Sequence, residues 1–194
     1  CFMIRPGGGI VGGTVDPADA AASIGILMAN SGLAGISFPL VGLGLLLFYF
    51  GIAVFVENMK GGNGESFGRL GALFVLFAVI GWVTSSALGV AVAGGNAGAA
   101  AGPVYAVSLS INLASSILGP LGFLVISLGV STRDDSNKIF ALVVAAISAV
   151  LLVIAVMSSR DLSLLQTTSW ITGIGYIVTS LWAVTLGLAL MKKA

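Results

Sequence analysis

The sequence contains no histidine and a single cysteine, Cys1. A disulfide framework, a zinc site of the Cys/His type and a Ser–His or Cys–His nucleophile pair all need residues that this chain lacks. Serine and tyrosine are present, but no general base or metal-ligand set accompanies them, so we expect no enzyme activity and no cofactor. The net charge of +1 provides no basic surface for a nucleic-acid partner.

Charged side chains are also scarce. They make up 8% of the residues, against about 25% in soluble domains, and the mean hydropathy is +1.14. Because this composition cannot cover a water-facing surface, the expected surroundings are a lipid bilayer. The apolar runs are long and do not alternate, which favours helices of about 20 residues over spanning strands of about 10 residues. The sequence therefore predicts an all-α, polytopic membrane helix bundle.

Turn signals divide the chain into a tail and six apolar runs. The Gly-rich residues 1–16 are expected to form a flexible tail, and residues 17–194 a single transmembrane helical domain. Asp16 and Pro17 are typical of a helix start, with Asp at the cap and Pro in the first turn. The predicted spans are 17–36, 39–57, 67–92, 103–131, 139–157 and 168–191.

The alternative is five spans, with residues 17–57 forming one long bent helix. Six spans put seven of the basic residues on one side of the membrane and only Arg160 on the other, whereas five spans move Arg5 across and give six against two. Basic residues concentrate in cytoplasmic segments, so the six-span arrangement fits slightly better. It predicts an integral protein of the plasma (inner) membrane with both termini in the cytoplasm.

The predicted spans carry no charged residue at mid-membrane depth. This argues against a pump, a retinal Schiff base and a carboxylate–histidine redox centre, which depend on such groups. Neutral polar residues do recur at helical spacing in two spans. These polar stripes are Ser108, Asn112, Ser115 and Gly119 in the fourth span, and Thr172, Tyr176 and Ser180 in the sixth.

Each stripe has two interpretations. Small and polar residues allow membrane helices to approach and hydrogen-bond to one another, which is the commoner role. The two stripes, together with Tyr49, could instead line a path for a small polar or weakly charged solute. Tyr49 lies about two helical turns from Glu57, so its hydroxyl is expected inside the bilayer with a hydrogen-bond partner.

One stretch, VGLGLLLFYFGIAVFVENMKGGNGESFGRLGALF at residues 41–74, resembles a known family. Phe48-Tyr49-Phe50-Gly51-Ile52-Ala53, then Gly62-Asn63, then Phe67-Gly68, follow the order found in the second and third spans of the acetate uptake transporters, the succinate–acetate permease group. Asp16-Pro17-Ala18 stands where that family has Asn-Pro-Ala at its first helix. Val54 replaces the glutamine that the family prefers.

The resemblance implies a fold, an assembly and a set of site residues. It implies a ring of six subunits, each with its own narrow pore lined by aromatic residues. Phe48 and Tyr49 would lie at the pore or its constriction, and Asp16, Pro17 and Ala18 near its mouth. With Ser108, Asn112 and Tyr176 from the polar stripes, these are the candidate pore residues.

Two functions therefore remain open. The first is a channel or transporter for a small monocarboxylate, such as acetate, or a similar small polar solute. The second is a non-catalytic structural or accessory subunit of a larger membrane complex, which the absence of charged residues at mid-membrane depth favours. A urea or amide channel would share the size and topology of the first but not the Phe-Tyr stretch.

Overall fold

The computed structural model describes Ile4 and residues 6–133 and 137–191. These residues form six α-helices. They are α1 (Ala20–Ala29), α2 (Ser31–Glu57), α3 (Glu65–Ala93), α4 (Ala101–Ser131), α5 (Lys138–Arg160) and α6 (Leu164–Met191), with a short 3₁₀ turn at Gly98–Ala100 before α4. The described residues contain one isolated β-bridge, between Ile4 and Val11, and no longer strand.

The all-α membrane bundle predicted from the sequence is confirmed. In the described part of the chain, the five helices α2 to α6 are long and apolar enough to cross a membrane. Helix α1 has 10 residues and a length of about 15 Å, half of the roughly 30 Å hydrocarbon core. Five helices therefore have spanning length, the number in the alternative arrangement, and α1 is a short apolar helix beside them.

The boundary between α1 and α2 differs from the predicted one. Asp19, rather than Asp16, caps α1, because its side chain accepts a hydrogen bond from the Ala22 backbone N–H at 3.0 Å. The helix breaks at Asn30, whose carboxamide donates to the Ile26 carbonyl at 2.9 Å. Pro39 does not open a span but lies inside α2, where it removes one backbone hydrogen-bond donor.

The later helices, α3 to α6, begin and end near their predicted bounds.

The turn between α2 and α3 is held by an ion pair of Lys60 Nζ with Glu57 Oε1 at 2.5 Å. The Gly61 N–H donates to Glu65 Oε2 at 2.8 Å, and Gly61 and Gly64 take positive φ angles of 72° and 82°. These contacts explain how two long helices reverse direction within a few residues.

Helices α3 and α4 form the centre of the bundle. They share the most extensive interface, α5 packs on the other side of α4, and α6 lies beside α5 while touching α2 only slightly. One core cluster fills the space towards the α2–α3 turn and includes Ile52, Phe123 and Trp182. A second cluster lies at the opposite end, where α1 packs on the end of α3 and the start of α4.

The described part of the tail is irregular, as expected, but packed against the bundle. Ile4 is only 2% exposed and belongs to the second core cluster with Leu27 and Tyr105. The Gly7 N–H donates to the Gly12 carbonyl at 3.0 Å, and both glycines have positive φ. Residues 6–17 with Ile4, here called the tail loop, thus form a loop packed on the end of the bundle where α6 begins.

Candidate functional site

A cavity of about 670 Å³ lies between α2 and α6, where these two helices hardly touch. Helices α3 and α4 form its back wall. The tail loop contributes Pro6, Gly7 and Pro17 to the lining at one end. At the other end the lining stops at Phe48 and Phe123, which belong to or pack against the first core cluster. We call this space the central cavity.

Neutral polar groups from three helices line the central cavity. None of the described residues in its lining is charged. The side chains of Ser86, Asn112, Ser116, Thr172 and Ser180 face the cavity and make no hydrogen bond to the described residues. Polar groups at membrane depth are costly without partners, so the lining can offer hydrogen bonds to water or to a solute.

A reciprocal serine pair joins the two helices of the back wall. Ser85 Oγ lies 2.9 Å from both the carbonyl and the Oγ of Ser108, and Ser108 Oγ donates to the Ser85 carbonyl at 3.0 Å. Both residues also line the cavity. The pair fixes α3 against α4 at the level of the polar lining.

Replacing both serines with alanine is expected to lower the free energy of unfolding by about 1–2 kcal/mol, since interhelical hydrogen bonds in membranes contribute about 0.6 kcal/mol on average and up to about 1.7. The matched control is Ser110→Ala on α4, because Ser110 Oγ bonds only to the Ala106 carbonyl of its own helix at 2.9 Å. SDS-induced unfolding of the purified protein measures the difference. Equal stability of the double variant and the control would show that the pair does not hold the helices together.

Two pairs of aromatic rings contribute to the lining of the central cavity. Trp82 of α3 and Tyr176 of α6 meet edge to face, with ring centroids 5.8 Å apart and an interplanar angle of 86°. Phe48 of α2 and Phe123 of α4 are 5.7 Å apart at 48°. Such offset and edge-to-face pairs are the favoured arrangements of aromatic rings, so each pair links two helices across the space.

The tail loop is hydrogen-bonded to the bundle at one end of the central cavity. The Tyr105 hydroxyl donates to the Pro17 carbonyl at 3.1 Å. The Gln166 side chain donates to the Gly13 carbonyl at 3.4 Å, which ties the tail loop to the start of α6. Asp16 faces water at this end, and its carboxylate accepts from the Ala18 N–H at 2.8 Å.

The structure brings five of the eight candidate residues together. Pro17, Phe48, Ser108, Asn112 and Tyr176 all line the central cavity. The other three, Asp16, Ala18 and Tyr49, are not in its lining. Asp16 and Ala18 are exposed at the junction of the tail loop and α1.

Tyr49 has a different position from the one that the sequence suggested. It is partly buried and packs against the first core cluster, and it is not in the lining of the cavity to which its neighbour Phe48 contributes. Its hydroxyl makes no hydrogen bond to any of the described residues, so the expected partner within the bundle is not found there. Tyr49 is therefore a packing residue of α2 in this arrangement.

The stripe on α4 divides between two neighbours. Ser108 and Asn112 line the cavity, but the next lining residue is Ser116, at i+4, rather than Ser115. Ser115 and Gly119 instead face α3, where Gly119 lies against the Trp82 ring. Thr172, Tyr176 and Ser180 of the α6 stripe all line the cavity.

Sequence reasoning missed the contribution of α3. Trp82, Ser85, Ser86 and Gly89 line the cavity, and they recur at i, i+3, i+4 and i+7, which is one helical face. That spacing was available as a signal. The cavity-lining face of α3 does not stand out in the sequence, because the residues on its other faces are also apolar or small.

The class of protein follows from these observations: the chain is an integral membrane protein built from a bundle of apolar helices. Among the described residues, no group of three or more His, Cys, Asp or Glu side chains could hold a metal ion. No protein-family model matches the sequence, and no curated protein or solved structure shows significant similarity to it. The acetate-transporter resemblance therefore stays a prediction.

Proposed function

We propose that this chain is a transporter or channel that carries a small monocarboxylic acid, or a similarly small polar solute, across the membrane through the central cavity. The observation that carries the proposal is the cavity itself: a space of about 670 Å³ between the helices whose described lining is neutral and includes polar groups without protein partners. Binding cavities of about 300–1,000 Å³ with a few placed polar groups are typical of small-molecule sites.

The neutral lining favours the uncharged form of such a solute. A carboxylate ion that entered would lose its hydration without meeting a cation, which costs several kcal/mol or more. A protonated acid or an amide can instead exchange hydrogen bonds with Asn112, Thr172 and the serine hydroxyls, which both donate and accept.

The proposal includes an orientation. With five spanning helices, the tail loop and the start of α6 lie at one end, and Lys60, Arg69 and Lys138 lie at or near the helix ends of the other. The positive-inside rule then places the α2–α3 turn in the cytoplasm and the tail loop outside, with the C-terminus cytoplasmic. This differs from the six-span expectation that both termini are cytoplasmic.

Uptake into proteoliposomes tests the proposal. With radiolabelled acetate, protein-dependent uptake is expected to fall about tenfold for each pH unit between pH 6 and pH 8, because the protonated fraction of a carboxylic acid falls by that factor above its pKa. Acetamide, which has the same size and no charge, is expected to enter at a rate independent of pH. Empty vesicles give the background from diffusion through lipid.

Two results would contradict the proposal. Uptake of both solutes equal to that of empty vesicles from pH 5 to pH 8 would remove the transport function. Acetate uptake that is independent of pH would remove the neutral-form mechanism and leave transport of the anion.

The second candidate, an accessory subunit of a larger complex, is favoured by one observation. Both helices that flank the cavity expose large apolar side chains, among them Leu47 at 64% on α2 and Ile174 at 61% on α6. These faces could meet lipid, further copies in a ring such as the resemblance implies, or different membrane subunits. Purification from native membranes separates the cases: stoichiometric co-purification of other chains supports the accessory role, and a homogeneous ring of this chain supports transport.

A further inference from the structure

A second, smaller pocket lies between α4, α5 and α6. It has a volume of about 30 Å³ and is lined by hydroxyl groups from all three helices, including Ser116, Ser158 and Thr172. A buried water needs about 10–15 Å³ of such volume, so the pocket has room for two waters or for one small polar group. We call it the hydroxyl pocket.

Ser158 indicates that the hydroxyl pocket needs an occupant. Its side chain is buried, with 2% of the residue exposed, and its Oγ has no hydrogen-bond partner among the described residues. Buried hydroxyls are nearly always hydrogen-bonded, because leaving one without a partner costs about 1–3 kcal/mol. Ser158 is one of the residues that line the pocket, and no described residue is a hydrogen-bond partner for its hydroxyl.

The hydroxyl pocket adjoins the central cavity. Ser116, Leu165, Thr172 and Tyr176 line both spaces. A molecule in the central cavity can therefore place a group of a few atoms into the hydroxyl pocket while its remainder stays in the larger space. The two compartments differ in size, and the larger one offers a longer apolar surface from side chains such as Leu45, Phe48 and Val184.

We propose that the hydroxyl pocket is the head-group subsite of the central cavity, and that its ligand is an amphiphile with an uncharged hydrogen-bonding head, a carboxamide or a protonated carboxyl group, on an alkyl chain longer than that of acetate. This inference rests on the proposed function in one respect, that the central cavity admits a solute. The head binds at the hydroxyls of Ser116, Ser158 and Thr172, and the chain lies against the apolar lining.

The chemistry of the pocket selects an uncharged head. Serine and threonine hydroxyls can each donate and accept, which matches the carbonyl and the O–H or N–H of such a head. No charged residue is in the described lining, and the nearest charges in the sequence, Arg160 and Asp161, are exposed beyond it. An ionised carboxylate would therefore be desolvated without a counter-charge.

The size of the central cavity indicates the longer chain. A volume of about 670 Å³ lies in the range of sites for drug-sized ligands. Acetate, with four non-hydrogen atoms, would leave most of it unfilled, whereas an eight-carbon chain could contact the apolar wall and gain about 0.8 kcal/mol for each buried CH₂.

Binding of labelled octanamide to the purified protein in lipid nanodiscs tests the inference without depending on transport. Empty nanodiscs give the background from partitioning into lipid. Ser158→Ala is expected to raise the Kd about fivefold, the effect of losing one hydrogen bond of about 1 kcal/mol. Octanoate at pH 7.5 is expected to bind at least about tenfold more weakly than octanamide, because its head is ionised.

Ser148→Ala is the matched control. Ser148 lies on the same helix, is equally buried and also lacks a hydrogen-bond partner in the described chain, but it is not in the lining of the hydroxyl pocket. Its Kd for octanamide is expected to stay within twofold of the unmodified protein. Thr172→Val, which keeps the shape of the side chain and removes its hydroxyl, provides a second variant if Ser158→Ala does not fold.

The outcomes separate this inference from the proposed function. Equal octanamide affinity of the unmodified protein and both pocket variants would overturn the head-group subsite and leave a pocket that holds only water. Uptake of acetate or acetamide without octanamide binding would overturn the longer-chain ligand and leave the proposed function standing. Absence of both uptake and binding would remove the proposed function and the inference together.

Discussion

Replacing Gly44 with tryptophan is expected to lower solute uptake by at least about tenfold, because a bulky apolar side chain would obstruct part of the path through which the solute passes. Gly44 lines the central cavity, and a Cβ added there would meet nothing within 4 Å. The larger side chain can therefore enter the cavity without displacing the helices. The change also removes a glycine from a helix interior, where glycine is less favourable than alanine by about 0.5–1 kcal/mol.

Gly51 is the matched control for this prediction. It lies two helical turns further along the same face of α2, and a Cβ there also meets nothing within 4 Å, but the residue is exposed and lies beyond the cavity lining. Gly51→Trp adds the same side chain outside the cavity lining, so uptake in proteoliposomes is expected to be unchanged. If both variants transport at the unmodified rate, the solute does not pass through the central cavity.

Composition and charge placement were enough to predict the fold class and four of the helices. The bounds of α3 to α6 lie close to the predicted spans because charged or Gly-rich loops separate them, such as the turn from Glu57 to Glu65. The α1–α2 region was predicted wrongly in detail, because Pro39 was interpreted as a helix start. In the structure α2 continues through Pro39, and the break falls at Asn30.

The candidate site was predictable only in part. Periodicity identified Ser108, Asn112 and the α6 stripe, which do line the cavity. It could not separate Ser115 from Ser116, because both lie near the same face and only the position of α3 decides which one faces the cavity. Tyr49 shows the same limit: in a membrane, the faces towards lipid, protein and cavity are all apolar, so hydropathy does not distinguish among them.

The second large effect is expected at the crossing of α3 and α4, where Gly122 lies against α3. A Cβ added to Gly122 would lie 2.8 Å from the Gly71 carbonyl oxygen and 2.9 Å from the Val75 backbone nitrogen. Backbone atoms cannot move aside as a side chain does, so Gly122→Leu would force the two helices apart. Overpacking usually lowers the free energy of unfolding by about 1–3 kcal/mol and sometimes by more. A loss above this range is expected for Gly122→Leu, because the α3–α4 interface is the most extensive in the bundle.

Gly102→Leu provides the matched control on the same helix, because a Cβ at Gly102 meets nothing within 4 Å. In SDS-induced unfolding, the free energy of unfolding is expected to fall by more than about 3 kcal/mol for Gly122→Leu and to change little for Gly102→Leu. Such a loss is a large part of the total stability of a typical protein, which is about 5–15 kcal/mol. Equal stability of the two variants would mean that α3 and α4 are not in close contact at Gly122.

Separation of the two helices would also change the central cavity, because Trp82 and Ser85 on α3 and Ser108 and Asn112 on α4 form its back wall. If the helices separate at Gly122, the back wall of the central cavity separates with them, so a folded but destabilised Gly122→Ala variant should also lose uptake.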